Sequence, residues 1–196
     1  MRFRLSAFRY SAPMDKRQTL PRLWLLTDQR NDAVLETALA RMPRGSGLVF
    51  RHYHLAVTER RERFRRLVRL ARARGMVVVL SGDPRTARKW GADGVYGSLR
   101  AGPGLLRLAM AHSLREIAAA NRAGADAVLL SPVFATRSHP GAKTLGRVGF
   151  RLLARHAAMP VIALGGMDHR RAHAMGWPRW AGIDGFSGGQ AGRYPA

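Results

Sequence analysis

The chain contains no cysteine, and that absence removes a disulfide framework, a thiolate metal site and a cysteine nucleophile at once. Carboxylates are scarce, 12 Asp and Glu against 34 Lys and Arg, so a hard divalent cation has few oxygen donors to draw on. No apolar run approaches the roughly 20 residues that cross a bilayer, and the basic N-terminus lacks the apolar centre of a secretory signal. Lysine is nearly missing too: only Lys16, Lys89 and Lys143 occur, and every other basic residue is arginine. A formal charge of +22 points first to nucleic acid, yet arginines spread over every helical segment fit a compositional bias better than one phosphate-tracking patch. These absences predict a cytoplasmic protein with no membrane partner and no dedicated nucleic-acid partner.

What is present is enough for one domain with a sizeable core, 196 residues at 46% hydrophobic content. Residues 1–20 are basic, carry Pro13 and lack periodic apolar positions, so they read as an arm outside the fold, with Met14 an equal candidate for the start. The domain is then 21–196. Apolar runs of strand length fall at 22–26, 47–54, 76–80, 91–96, 105–110, 127–130, 160–164 and 182–186. Helix-period segments lie between them, the clearest at 58–74, where Phe64, Leu67, Val68 and Ala71 share one face and the arginines take the other. Others are placed at 32–41 with Asp32 as its cap, up to Trp90, at 112–123 and at 168–175. Eight strands and seven helices in strict alternation predict an α/β TIM (β/α)8 barrel, without a full eighth helix because the chain stops soon after the last strand. The N-terminal arm is then a candidate cover for the bare edge.

The stretch 124–167 carries the functional signal. Two strands flank a polar Gly/Pro-containing loop and a helix, and the second strand runs directly into Gly165-Gly166, whose unshielded backbone N–H groups suit an anion. In chain order, LWLLTD (23–28), Phe50-Arg51, ADGVY (92–96), AHSLRE (111–116), GADAVLLSPVFAT (124–136) and MPVIALGGM (159–167) resemble the thiamine phosphate synthase and TenI (thiazole tautomerase) family of TIM barrels, over about 22–186. The resemblance implies a transferase of thiamine biosynthesis, joining hydroxymethylpyrimidine pyrophosphate to hydroxyethylthiazole phosphate with loss of pyrophosphate, helped by Mg²⁺ and cationic groups. Its partners are those small phosphorylated substrates, and a homo-oligomer is left open.

Carried over residue by residue, the resemblance assigns Arg51 to the leaving pyrophosphate, while the glutamine and lysine around the family arginine are Val49 and Tyr53 here. The loop after strand six supplies Thr136, Arg137, Ser138 and His139 against a Thr-x-Thr-Lys pattern, with Lys143 a replacement cation. Gly165, Gly166, Ser187 and Gly188 take the thiazole phosphate. His112 matches the histidine that moves a proton in the tautomerase branch, and it could equally just cap its helix. Arg51, His112, Thr136 and Ser138 are thus the catalytic candidates.

The metal side departs from the family. Asn-Asp-Asp after strand three reads Ser81, Gly82, Asp83, leaving Asp83 as the metal candidate; Gly-Gln-Glu-Asp after strand four reads Ser98, Leu99, Arg100, Ala101; the strand-five serine is Met110. Three readings stay open: the synthase, a metal-independent thiazole tautomerase using His112, and a degenerate member that binds a phosphorylated ligand without turnover. His52 with His54, and His169 with His173, have spacings zinc could use, but neither pair has a third ligand nearby and all four are expected at the surface. Trp177 and Trp180 are expected in a loop that caps the barrel or packs at a dimer contact.

Overall fold

The computed structural model describes residues 20–99, 104–138, 141–184 and 186. Eight parallel strands close into a barrel: β1 Leu23–Leu26, β2 Gly47–Phe50, β3 Val77–Ser81, β4 Gly94–Tyr96, β5 Leu106–Ala111, β6 Ala127–Leu130, β7 Val161–Ala163 and β8 Trp180–Gly182. Each pairs with its sequence neighbour, and the ring closes through Leu23↔Trp180, Trp24↔Ala181 and Leu25↔Gly182. Both faces of a parallel sheet are buried, which is why these strands read as continuous apolar runs. Alternation divides them into two cores. Trp24, Leu26, Val49, Val79, Leu108, Leu129 and Ile162 fill the lumen, while Leu25, Leu48, Phe50, Val78, Leu80 and Val128 face the helices. Trp24 occupies the lumen beside Gly47, where any Cβ would collide with the indole ring.

The outer layer comprises α1 Leu35–Arg41, α2 Val57–Ala73, α3 Pro84–Trp90, α4 Leu114–Ala123, α5 Gly146–Ala154 and α6 His169–Met175. In α2 the buried positions are Phe64, Leu67 and Ala71, the apolar stripe expected from period 3.6. Phe64 packs edge-on against Phe50 at 5.2 Å and near Trp90 at 5.4 Å, and truncating such a side chain costs about 3–5 kcal/mol. No helix among the described residues is long and apolar enough to cross a membrane.

Five expectations are corrected. The strict alternation breaks between β4 and β5, which no helix separates among the described residues, so six α-helices and one 3-10 segment stand where seven helices were expected. The segment after β1 begins as the 3-10 helix Gln29–Val34, capped by Asp28 rather than Asp32, with the Asp28 carboxylate accepting the Arg30 N–H and Asn31 reaching back to the Asp28 N–H. Strand β2 ends at Phe50, not at 54, because His52 adopts a left-handed φ of 40° that no strand accommodates. Strand β8 lies at Trp180–Gly182, two residues early, and Trp180 is buried in it, stacked on Phe186. Trp177 packs within the chain, edge-on to Phe150, and donates its indole N–H to the Val161 carbonyl. Residues 1–19 and 187–196, on which the expected arm and the end of the chain fall, lie outside the described residues.

Candidate active site

The loops at the carboxyl ends of the strands enclose a cavity of about 1300 Å³, lined from every side of the barrel mouth. This is the face on which a (β/α)8 barrel assembles chemistry from several strands at once. Of the expected residues, Arg51, Asp83, His112, Thr136, Arg137, Ser138, Gly165 and Gly166 all line it. His139, Ser187, Gly188 and Arg100 lie outside the described residues.

Arg51 follows directly on β2 and is fixed at three points. Its backbone N–H donates to the Thr27 hydroxyl (2.8 Å), its Nε to the Thr27 carbonyl (2.9 Å), and its Nη2 to the Asp28 carboxylate (2.5 Å). Asp28 is shared, because its other oxygen takes Arg30 Nε at 2.8 Å, and Arg30 Nη2 crosses to the Ser138 hydroxyl at 2.6 Å. Burial alone would raise the Asp28 carboxyl, but the Arg30 hydrogen bonds and the two guanidinium charges outweigh it and hold the group below its ordinary value. Thr27 is held in turn by His52, whose Nδ1 lies 2.7 Å from the hydroxyl and whose Nε2 lies 2.7 Å from Asp32. His52 is therefore fully buried and structural, stacked on Phe50 at 4.8 Å, contrary to the surface position expected of it. Burial pushes its pKa down, and the neighbouring Asp32 only partly opposes this.

His112 closes the opposite side. Ser113, not His112, caps α4, so the capping role considered for the histidine falls to its neighbour. The His112 Nδ1 sits 2.7 Å from the Ser131 carbonyl, an acceptor only, so Nδ1 carries the proton and the neutral ring keeps its lone pair on Nε2. A base of that tautomer at the rim of a cavity can take a proton from a bound ligand.

The loop after β6 is stitched to the loop after β7. Val133 and Phe134 donate to the carbonyls of Leu164 and Gly165, at 2.9 and 3.0 Å. Thr136 Oγ1 accepts the Ser138 N–H at 3.3 Å, and Arg137 pairs with Asp184 at 3.1 Å across to the loop after β8. Gly165 and Gly166 have φ of 94° and 58°, and a Cβ on Gly166 would strike the Ala135 carbonyl, so close approach as well as backbone angle demands glycine. The Gly166 carbonyl accepts from Arg171, which lies over the Phe134 ring at 5.1 Å.

The residues do not fit a Mg²⁺ ion held by the protein. Asp83 spends Oδ1 on capping α3, accepting the Arg85 and Thr86 N–H groups at 2.9 and 3.0 Å, and hydrogen bonds from Thr86 hold its carboxyl down. Beside it Ser81 is engaged by the Tyr53 hydroxyl. No group of three His, Asp or Glu converges among the described residues. Buried Tyr96, its phenol pushed up to about 12 by desolvation, stays a neutral donor at the cavity floor.

Sequence reasoning missed Arg30, Thr27, Asn31 and the role of His52. Asn31 donates to the carbonyls of Leu26 and Ile183 (3.0 and 2.9 Å), tying β1 to the loop after β8. Only the Thr27-Asp28 dipeptide at the end of the first apolar run hinted at this cluster.

Residues 108–188 match a family model described as thiamine monophosphate synthase. The chain is 30% identical over 168 residues to the thiamine-phosphate synthase of Chloroflexus aurantiacus, spanning 77% of this chain and 76% of that protein. It is also 30% identical over 168 residues to that of Azorhizobium caulinodans, over 78% and 79% of the two chains. The solved thiamine phosphate pyrophosphorylase from Pyrococcus furiosus superposes with a TM-score of 0.71 at 23% identity, over 87% of this chain and 89% of that one, a likeness of fold.

Proposed function

The chain belongs to the thiamine-phosphate synthase family, and we propose on that premise that it joins hydroxymethylpyrimidine pyrophosphate to hydroxyethylthiazole phosphate. The C–O bond between the pyrimidine methylene and the pyrophosphate breaks, and its electron pair leaves with the pyrophosphate. The thiazole nitrogen then gives its lone pair to the methylene cation, forming the C–N bond of the thiazolium product. No net proton transfer is needed. What the protein must supply is positive charge at the leaving group and a fixed orientation for both rings.

The observation that carries this reading is Arg51, pinned by Thr27 and Asp28 at the mouth of β2, with the Thr136 to Ser138 loop joined to it through Arg30. A guanidinium that is already oriented pays no reorganisation cost as charge develops on the pyrophosphate. The Gly165-Gly166 turn then takes the thiazole phosphate, where a side chain would be excluded and the backbone can approach closely. In the cavity between, apolar Leu26, Met110 and Leu164 suit the two heterocycles and keep water from the cation.

The His112 geometry favours a second reading, a thiazole tautomerase in which Nε2 moves a proton on a thiazole carboxylate phosphate. The two readings part in one assay. Purified protein given both substrates releases pyrophosphate under the first, and Arg51→Ala abolishes the release. Absence of release in the wild type, with the thiazole phosphate still raising the melting temperature, rejects the synthase and leaves the tautomerase or a silent binder.

A further inference from the structure

We infer that the leaving pyrophosphate is received by a guanidinium pair, Arg30 and Arg51, in place of a metal ion held by the protein. The inference rests on the synthase reading and concerns the same site. It starts from where the carboxylates go. Of the 12 acidic residues, Asp83, Asp168 and Asp184 line the cavity. Asp83 and Asp168 each cap a helix, and Asp184 is bound by Arg137. Asp15 aside, the segments outside the described residues contain no acidic residue at all, so no further carboxylate can join these from the loops. The end of β3 offers neutral oxygens instead, Ser81 and Tyr53 bonded to one another.

Positive charge is held instead at the ends of β1 and β2. Asp28 is bound by two guanidinium groups, Arg51 at 2.5 Å and Arg30 at 2.8 Å, so the cluster keeps one net positive charge while the single carboxylate orients both forks. Arg30 extends to Ser138 in the loop that also carries Thr136 and Arg137. A pyrophosphate oxygen arriving beside Ser138 meets Arg30 Nη2 already aimed at that hydroxyl and Arg51 on the cavity wall. Planar, multiply donating guanidinium groups match tetrahedral phosphate oxygens better than point charges do, and two of them neutralise charge without dehydrating an ion. Arg30 lies two residues beyond the LWLLTD stretch and stands outside the motif residues identified above.

The test is calorimetric titration of the full chain with inorganic pyrophosphate at fixed ionic strength, first in EDTA and then with Mg²⁺ in excess. The expected result is binding in EDTA that Mg²⁺ does not strengthen, weakened by about tenfold or more in Arg30→Gln, the scale of one lost charge-assisted hydrogen bond. Asp83→Asn, which keeps the α3 cap, leaves pyrophosphate affinity within about twofold. Binding that appears only with Mg²⁺ and disappears in Asp83→Asn overturns the inference, as does failure to bind in both conditions. Pyrophosphate release from the two substrates, assayed on the same preparation, keeps the two failures apart. Release with Mg²⁺-dependent binding sinks only the guanidinium pair; binding in EDTA without release sinks only the synthase.

Discussion

His52 and Thr27 face one another across the first two strands, the imidazole Nδ1 2.7 Å from the hydroxyl, and Thr27 passes the constraint to Arg51. Neutral His52 donates Nε2–H to Asp32 and leaves Nδ1 to accept the Thr27 hydroxyl proton, which frees the Thr27 oxygen to accept the Arg51 N–H. The left-handed backbone at His52 is the bend that allows ring and guanidinium to approach Thr27 together.

Replacing His52 by alanine strands a buried hydroxyl and removes a partner from Asp32. The expected cost is about 1–3 kcal/mol of stability. Because the same change loosens Arg51, KM for the pyrimidine pyrophosphate rises more than KM for the thiazole phosphate. Equal changes in both KM values refute the link from His52 to Arg51.

The acid limb of stability follows from the same ring. The His52 pKa is lowered from its ordinary 6.5 by burial, so the folded protein binds fewer protons than the unfolded chain. Its contribution is fully present above 6.5 and is lost as pH falls toward the depressed value. Asp28 and Asp32, lowered from 3.8 against the opposing effect of burial, act further down, their contribution lost as pH falls below that value. Melting temperature therefore declines in two stages on acidification, and His52→Asn flattens the first stage while leaving the part of the second that Asp28 carries.

Arg60 joins the ends of β2 and β3 with no carboxylate partner among the described residues. It donates to the Arg51 carbonyl at 2.8 Å and the Ser81 carbonyl at 2.6 Å, with Phe50, Tyr53 and Trp90 around it at 5.5 to 5.6 Å. Burial lowers its pKa, the direction of a cation whose solvation is supplied by carbonyls and ring faces. Arg60→Met keeps the stem and removes both hydrogen bonds, so denaturant unfolding should show a loss of about 1–3 kcal/mol. An unchanged midpoint would mean the clamp is idle.

The barrel was legible because parallel strands buried on both faces leave uninterrupted apolar runs, and seven of the eight fall close to where the sequence places them. The eighth shifted because closure with β1 selects Trp180 as the partner of Leu23, a long-range choice that local hydropathy cannot express. Of the candidate site, Arg51 and His112 were named through the family resemblance and Gly165-Gly166 from the diglycine at the end of a strand as well, and all four line the cavity. Arg30 and the Thr27, His52, Asp32 relay were not legible, because the relay contacts join residues 20 or more apart and the contact that carries Arg30 to Ser138 joins residues 108 apart, through side chains of types that are usually solvent-facing. Strand alternation also failed at His52, where one positive φ turned the following residues out of the sheet.

Gly166→Ala tests the phosphate turn. The new Cβ meets the Ala135 carbonyl at a backbone φ of 58°, so the turn must open, at a cost of about 1–3 kcal/mol. Thiazole phosphate should no longer raise the melting temperature of this variant, while pyrophosphate binding on the other side of the cavity persists. Loss of both ligands would place them in one overlapping site.

His112→Asn separates the two chemistries. Asparagine retains a donor toward the Ser131 carbonyl, so α4 and its Ser113 cap are undisturbed, but it offers no nitrogen base in place of Nε2. In the synthase, ionisation and capture need no base at that position, and pyrophosphate release falls by about tenfold at most, reflecting altered packing against the rings. In a tautomerase the same variant loses the group that moves the proton, and the rate drops by about 10²–10⁴. Single-turnover release of pyrophosphate, measured beside exchange of solvent deuterium into a thiazole carboxylate phosphate, reads both reactions from one preparation. Exchange that vanishes with His112 while release was never present assigns the chain to proton transfer; release that survives the substitution assigns it to carbon–nitrogen bond formation, with His112 left to orient the Ser131 carbonyl at the cavity rim.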